Sequence, residues 1–323
     1  MRLDPKRGRY LFVAIVWMVC SAEAEGTPLR LGILGDSISA GNGSSWGENP
    51  NWHTQLSNAK VTTVTSNQAF GGATTDNLEG QVLGLSPAIG LGTVDAAVLI
   101  MGGNDAVEWL YQLYFGQDPT PLIDYAVADI QNSVIAMSKA GVTRQVIATI
   151  PDVTVTPLVR DFAVTYGVSP SKLATAANAI SNANAQLLTF ARNMNIPVID
   201  LEGMSQDIAD HPPLTLAGVG FPNLFTPDGF HPSPVLQGLI ANAVVDALNR
   251  QYGTNLNPLS DQQIVTNAGL IPTVAGPSYF NVQPYVLVPE PSAARLGLVG
   301  VVICFAFYRR FKGSAAENSQ PLV

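Results

Sequence analysis

The sequence has few cysteines and few histidines, and both scarcities limit the chemistry that it can carry. Its 323 residues include two cysteines and three histidines. Cys20 and Cys304 both lie in apolar runs near the ends of the chain, so a domain folded from the middle has no disulfide and no thiolate ligand for zinc. No Walker-type or G-x-G-x-x-G loop follows a candidate strand, which argues against a nucleotide site. We therefore expect neither a metal nor a cofactor.

Positive charge is also scarce. The whole chain has a formal net charge of -8, and between residues 25 and 292 eight Lys and Arg stand against 21 Asp and Glu. Such an acidic chain repels the phosphate backbones of DNA and RNA. We therefore expect no nucleic-acid partner.

The first 24 residues have the pattern of a secretory signal peptide. Four basic residues precede an apolar run over 11–20, and Ala22-Glu23-Ala24 follows as an A-x-A cleavage pattern. The run is far shorter than the ~20 residues that a membrane-spanning helix needs, which disfavours a permanent N-terminal anchor. We predict that residues 1–24 are removed as a signal peptide.

The C-terminal end carries a second apolar segment. Pro289-Glu290-Pro291 is followed by an apolar stretch over 293–308 and then by Arg309, Arg310 and Lys312. Residues 288–323 thereby resemble the PEP-CTERM sorting signal of Gram-negative bacteria. The resemblance implies export, recognition by an exosortase, transient residence of residues 293–308 in the membrane, and delivery to the cell surface, outer membrane or extracellular matrix. A simple C-terminal membrane anchor is the alternative.

Between the two ends, apolar runs alternate with segments of helical periodicity, as in a mostly parallel sheet covered by helices on both faces. Five strands are predicted, over residues 31–34, 61–65, 94–101, 145–150 and 196–201. Helical spacing of apolar residues predicts helices between them and a last helix over about 236–248. Over residues 253–287 the periodicity fades into Asn, Pro, Gly and Gln, which indicates a linker or a loosely packed C-terminal extension.

Residues with catalytic chemistry stand where the predicted strands end. Ser37 follows the first strand and is a candidate nucleophile. His231 is the candidate base, because Asp228 lies three residues before it and one turn of backbone can bring both side chains together. The pair Gly71-Gly72 follows the second strand and Asn104 follows the third, where a glycine N–H group and the Asn amide can each face an oxyanion.

Other polar or aromatic residues are given no catalytic role. His53 and His211 have no acidic neighbour placed like that of His231, and we expect them to be ordinary loop residues. Asp36, beside Ser37, is expected to support the turn. The long connections over 109–121, 152–171 and 203–232 follow strands and should cluster at the ligand-binding edge of the sheet. The first of them, rich in aromatic residues, could line a substrate pocket or simply begin an amphipathic helix.

Taken in order, the motifs Gly35-Asp36-Ser37, Gly71-Gly72, Gly103-Asn104 and Asp228-x-x-His231 resemble those of the SGNH, or GDSL-type, hydrolase family. The resemblance implies a flavodoxin-like three-layer α/β/α sandwich with a five-stranded parallel sheet, folded from residues 25–252. It implies that Ser37 is the nucleophile, that His231 is the general base and that Asp228 orients His231. It also implies an oxyanion hole made by the N–H groups of Ser37 and Gly72 and the side chain of Asn104.

The motifs and the two ends together predict an exported serine ester hydrolase, meaning an esterase, lipase or acylhydrolase. It would act through an acyl-enzyme on an extracellular carbohydrate or lipid ester. An acyltransferase with the same triad, or a non-catalytic surface or matrix binding protein on the same fold, is the alternative. Gly43-x-Ser45-x-Gly47 also matches the nucleophile elbow of α/β-hydrolases, but no strand precedes it as that elbow requires.

Overall fold

The computed structural model describes residues 28–40, 50–210, 214–275 and 280–289. The strands in chain order are β1 (Leu29–Gly35), β2 (Thr62–Asn67), β3 (Ala96–Ile100), β4 (Gln145–Ala148), β5 (Val198–Ile199), β6 (Leu214–Leu216), β7 (Val219–Phe221) and β8 (Val286–Leu287). Six of them form one sheet in the order β2-β1-β3-β4-β5-β8, and β6 and β7 form a separate hairpin. The first five strands of the sheet pair in parallel, whereas β8 is antiparallel to β5.

The predicted flavodoxin-like α/β sandwich with five parallel strands is confirmed, and β8 adds a sixth strand at one edge. All five residues of β3 are buried, as expected for a central parallel strand that is covered on both faces. The strand order changes direction between β1 and β3. Ligands of such sheets bind at the carboxyl ends of the strands near this point, which is where the chain leaves β1 toward Ser37 and β3 toward Asn104.

Helices cover both faces of the sheet. They are, in chain order, α1 (Trp52–Asn58), α2 (Leu78–Gly90), α3 (Gly103–Tyr114), α4 (Thr120–Lys139), α5 (Pro157–Tyr166), α6 (Pro170–Met194), α7 (Leu201–Asp210), α8 (Pro234–Tyr252) and α9 (Asp261–Asn267). Helices α1, α8 and α9 pack on one face, and α2, α3, α4 and α6 pack on the other. Alternate residues of β3 enter the two cores: Val98 faces the first and Leu99 the second, because successive strand side chains point to opposite faces.

The segment predicted to be a linker or a loose extension packs against the domain. Ile264 and Val265 of α9 are fully buried against α8. Farther on, the Tyr285 carbonyl accepts a hydrogen bond of 2.7 Å from the Asp200 N–H just after β5. Val286 is buried at the sheet edge. The segment is mostly polar in composition, but a few of its apolar residues are buried and complete the core.

Several sequence predictions concern residues that the structure does not describe. The signal peptide, the apolar stretch over 293–308, His211 and the alternative nucleophile Ser45 all lie outside the described residues. Within the described residues, no helix is both long and apolar enough to cross a membrane. Residues 109–114 of the aromatic connection belong to helix α3, which begins at Gly103, so these residues end a helix instead of beginning one.

Candidate active site

The nucleophile candidate lies directly after β1, at a point where two other elements fix the backbone. A Cβ on Gly35 would lie 2.2 Å from the Ile100 carbonyl oxygen of β3, so only glycine allows β1 and β3 to approach this closely. The side chain of Gln81 on α2 donates to the Gly35 carbonyl at 2.9 Å and accepts from the Gly35 N–H at 2.8 Å. The strand end that carries Ser37 is therefore held from both sides.

Three of the predicted site residues form a continuous chain of hydrogen bonds. Ser37 Oγ lies 2.9 Å from His231 Nε2, and His231 Nδ1 lies 2.7 Å from Asp228 Oδ2. An ionised carboxylate can only accept, so Nδ1 carries the proton that points to Asp228. In the neutral imidazole, Nε2 is then the acceptor that faces the Ser37 hydroxyl. This is the arrangement that a serine nucleophile and its base require.

The Asp228-to-His231 turn is preorganised by its own backbone. Asp228 Oδ1 accepts from the Phe230 N–H at 2.8 Å, from the His231 N–H at 3.0 Å and from the Thr226 hydroxyl at 2.7 Å. Gly229 adopts a left-handed φ of 72°, which favours glycine. Its carbonyl accepts from the Leu158 N–H of α5 at 2.9 Å. The carboxylate is thus held by four donors, three in addition to the imidazole, before any substrate binds.

These donors decide the charge of Asp228. Partial burial raises the pKa of the carboxyl, but hydrogen bonds from Thr226, from two backbone N–H groups and from the His231 ring outweigh it and lower the pKa to about 2. Donors that stabilise the ionised form of a carboxyl lower its pKa in this way. Asp228 is therefore ionised at any pH near neutrality and can stabilise a positive charge on the imidazole.

A cavity of about 60 Å³ opens beside Ser37 and His231, and Asn104 lines it. Asn104 stands in the first turn of α3, where its Nδ2 donates to the Ala73 carbonyl at 2.8 Å. An amide nitrogen carries two hydrogens, so one remains for a ligand. Gly72, the residue before Ala73, adopts a left-handed φ of 78°, and it is not among the described residues that line the cavity. The structure thus brings four of the five predicted site residues together.

Two other carboxyl groups, those of Asp36 and Asp105, are buried close to each other. Asp36 is 2% exposed, and its Oδ1 accepts from the Ile38 N–H at 3.0 Å. Burial raises the pKa of Asp36 to about 7, with the Ile38 N–H opposing the rise and nearby Asp105 adding to it. Burial also raises the pKa of Asp105, whose Oδ1 accepts from the Thr75 hydroxyl at 2.7 Å. The contacts of Asp36 hold the turn around Ser37, whereas Asp228 is the carboxylate bonded to His231.

The expectation that His53 is an ordinary loop residue is wrong. His53 lies on α1 and is 6% exposed. Its Nε2 lies 2.8 Å from Asn51 Nδ2 and 3.1 Å from the Ser39 carbonyl oxygen. Burial lowers the pKa of His53 to about 4, with the Ser39 carbonyl opposing the change. His53 is therefore a neutral side chain that contacts the backbone two residues after Ser37.

Sequence reasoning missed two residues that support the site. Gln81 holds the end of β1, and Thr226 holds Asp228. Gln81 could have been noticed as a polar residue within the apolar stripe of α2 formed by Leu78, Val82 and Leu85. Thr226 gave no signal beyond its nearness to Asp228. Within the part of the chain that the structure describes, no group of three or more His, Cys, Asp or Glu side chains could hold a metal ion.

Comparisons with known structures give distant similarities. A lipase/acylhydrolase from Enterococcus faecalis is 18% identical, covers 72% of this chain and 99% of its own, and has a TM-score of 0.44. An acetylxylan esterase from Geobacillus stearothermophilus is 16% identical, covers 71% of this chain and 96% of its own, and has a TM-score of 0.47. A member of the lipolytic G-D-S-L family from Veillonella parvula is 15% identical over 69% of this chain and 99% of its own, with a TM-score of 0.46.

A search of the curated proteins gave no match. The sequence profile of the GDSL-like Lipase/Acylhydrolase family, in contrast, matches residues 33–237. This range is more than half of the chain and contains Ser37, Asn104, Asp228 and His231. The chain therefore belongs to the GDSL-like lipase/acylhydrolase family and is a carboxylic ester hydrolase of the SGNH type.

Proposed function

We propose that the protein hydrolyses esters with Ser37 as nucleophile, His231 as general base and Asp228 as the residue that orients His231. The observation that carries this proposal is the unbroken chain of hydrogen bonds from Ser37 Oγ through the imidazole to Asp228 Oδ2. Each member is in contact with the next at 2.9 Å or less. Proton transfer along such a path needs no rearrangement of the side chains.

The reaction then has two halves. Ser37 Oγ attacks the ester carbonyl carbon, and its proton passes to His231 Nε2. The imidazolium gives this proton to the oxygen of the leaving alcohol as the ester bond breaks, which leaves an acyl group on Ser37. Water enters, gives one proton to His231 and attacks the acyl carbon. The carboxylic acid leaves as Ser37 recovers its proton.

Charge on the carbonyl oxygen must be stabilised in both halves. We assign this role to the N–H groups of Ser37 and Gly72 and to the side chain of Asn104. Two observations support this role for Asn104. It lines the cavity beside Ser37, and only one of its two amide hydrogens is used in the hydrogen bond to the Ala73 carbonyl. For Gly72, support comes from its position in the loop that Asn104 holds through Ala73.

We also propose that this activity is exported. Residues 1–24 would be removed as a signal peptide, residues 25–252 with the packed extension over 253–287 would form the hydrolase domain, and residues 288–323 would be a PEP-CTERM-like sorting tail handled by an exosortase. The support is the sequence pattern of the two ends. An enzyme at the surface, outer membrane or matrix of a Gram-negative cell would meet carbohydrate or lipid esters as substrates.

Kinetics with p-nitrophenyl acetate test the proposed chemistry. Ser37→Ala should lower kcat/KM by at least about 10⁴-fold, because it removes the nucleophile. Ser45→Ala is the matched control, because it removes the same hydroxyl from the other candidate motif, and it should leave the rate within about twofold. Substantial activity in the Ser37→Ala protein, or its loss in the Ser45→Ala protein, would reject the assignment. Far-UV circular dichroism of both variants shows that they are folded.

A further inference from the structure

Two cavities of very different size lie next to each other near the catalytic residues. The one beside Ser37 has a volume of about 60 Å³. The second has a volume of about 440 Å³ and is formed by α5, α7, the β6–β7 hairpin and the C-terminal extension, with Phe221 and Phe280 among its walls. Met204 and Phe225 line both cavities. These two side chains therefore form the wall between them.

The small cavity is chemically apolar although several polar residues line it. The Ser205 hydroxyl lies 2.8 Å from the Leu201 carbonyl oxygen to which it donates, and the Thr156 hydroxyl donates to the Val153 carbonyl at 2.7 Å. The Asp152 carboxylate accepts from the side chains of Thr154 and Gln206. These polar groups are already bonded within the protein. Apart from the catalytic residues, the lining thus favours a hydrocarbon group over a hydroxylated one.

The volume limits how large that group can be. A water-sized group needs about 10–15 Å³ of such space. The small cavity thus holds on the order of four to six non-hydrogen atoms. During the reaction the acyl group stays attached to Ser37, whereas the alcohol leaves. An acyl group of about two to four carbons fits within this space, whereas a chain of eight carbons extends beyond it.

We infer that the enzyme acts on esters of short acyl groups, from acetyl to butyryl, and that Met204 is the residue that sets this limit. Met204 is 2% exposed and projects from α7, whereas Phe225 lies in a loop and is only partly buried. The buried methionine is therefore the better fixed part of the wall. Removing its side chain would connect the small cavity with the large one, where Phe221 and Phe280 could contact a longer acyl chain.

This inference rests on the proposed reaction at Ser37. Its test is the acyl-length profile of kcat/KM on p-nitrophenyl acetate, butyrate and octanoate, a series in which the leaving group is constant. For the wild type, kcat/KM on acetate and butyrate should exceed that on octanoate by at least about tenfold. A single methylene that does not fit a pocket already changes kcat/KM by about tenfold. Met204→Ala should raise the octanoate-to-acetate ratio by at least about tenfold. Met204→Val, a smaller change, should shift the ratio the same way and serves if the alanine variant does not fold.

Ile208→Ala is the matched control. Ile208 stands one turn farther along α7 and lines only the large cavity, so this variant enlarges the large cavity without opening the wall and should keep the wild-type ratio. An active wild type that hydrolyses octanoate as well as acetate would overturn the inference. So would Met204 variants with an unchanged ratio, or an Ile208→Ala ratio that shifts as much as that of Met204→Ala. A wild type that hydrolyses no ester and does not react with a fluorophosphonate at Ser37 would instead reject the proposed function.

Discussion

Ser37 and His231 are 194 positions apart in the sequence, and their side chains meet because backbone contacts fix both turns. Gly35 permits the close approach of β1 to β3, and Gln81 holds the strand end. On the other side, Asp228 receives bonds from the backbone of its own turn. The contact between Ser37 and His231 therefore depends on Gly35, Gln81 and Asp228, none of which lines the cavity beside Ser37.

At this scale, Asp228→Asn tests the orientation of the base. An asparagine can still accept from the turn, but it does not stabilise the imidazolium and it favours the wrong tautomer of His231. We expect kcat to fall by about 10³- to 10⁴-fold. Asp246→Asn removes a carboxylate that pairs with Arg250 elsewhere on α8 and should leave kcat unchanged. Steady-state kinetics on p-nitrophenyl acetate measure both, and a loss below tenfold for Asp228→Asn would show that the carboxylate is not needed.

His53 provides a pH-dependent prediction. Its pKa is about 4 in the folded protein against 6.5 as the ordinary value, so the unfolded chain binds the proton more readily. The contribution of neutral His53 to the free energy of unfolding is fully present above pH 6.5. It decreases as the pH falls toward 4, and the total decrease is on the order of 3 kcal/mol. His53→Gln should lose less free energy of unfolding than the wild type does between pH 7.5 and 4.5.

Urea unfolding at the two pH values measures this difference. The comparison between variants is needed because Asp36 acts with the opposite sign: its raised pKa makes the folded state bind the extra proton, so acidification stabilises the protein through Asp36. Both proteins contain Asp36, and its effect cancels in the difference. Equal losses for wild type and His53→Gln would mean that His53 is not kept neutral by burial.

At the scale of the elements, strand ends and helix starts place the site. Ser37 follows β1, Asn104 stands in the first turn of α3 after β3, and His231 precedes α8, which begins at Pro234 with Ser233 as its cap. The extension after α8 belongs to the same domain, because α9 packs on α8 and β8 extends the sheet. The last elements therefore support the helix that follows His231.

Two isoleucines in the extension test this packing. Ile264 is fully buried, and a Cβ on Gly238 of α8 would lie 2.7 Å from it. Ile264→Ala should lower the free energy of unfolding by about 2–5 kcal/mol. Ile271 is 84% exposed, and Ile271→Ala should change it by about 0.5 kcal/mol or less. Equal, small effects in urea unfolding would contradict the packing of the extension.

At the scale of the whole molecule, sequence patterns predicted the five parallel strands, because β1, β3 and β4 are largely apolar and buried and β2 is rich in β-branched residues. They did not predict β8, whose two residues lie within a polar segment and gain their strand structure from pairing with β5. Nor did they predict the burial of His53 or the role of Gln81, since both depend on contacts between distant parts of the chain. The sizes of the two cavities could not be predicted from the sequence either, because each cavity is formed by several elements that meet only in the folded chain.

The central claim is that Ser37 is the nucleophile and that His231 activates it. Labelling of the full-length protein with a fluorophosphonate, followed by peptide mass spectrometry, tests it most directly. We predict one adduct on Ser37, lost in Ser37→Ala and slowed by at least about 10³-fold in His231→Ala, which keeps the hydroxyl but removes the base. An adduct on Ser45, or labelling of Ser37 at an unchanged rate without His231, would contradict the account.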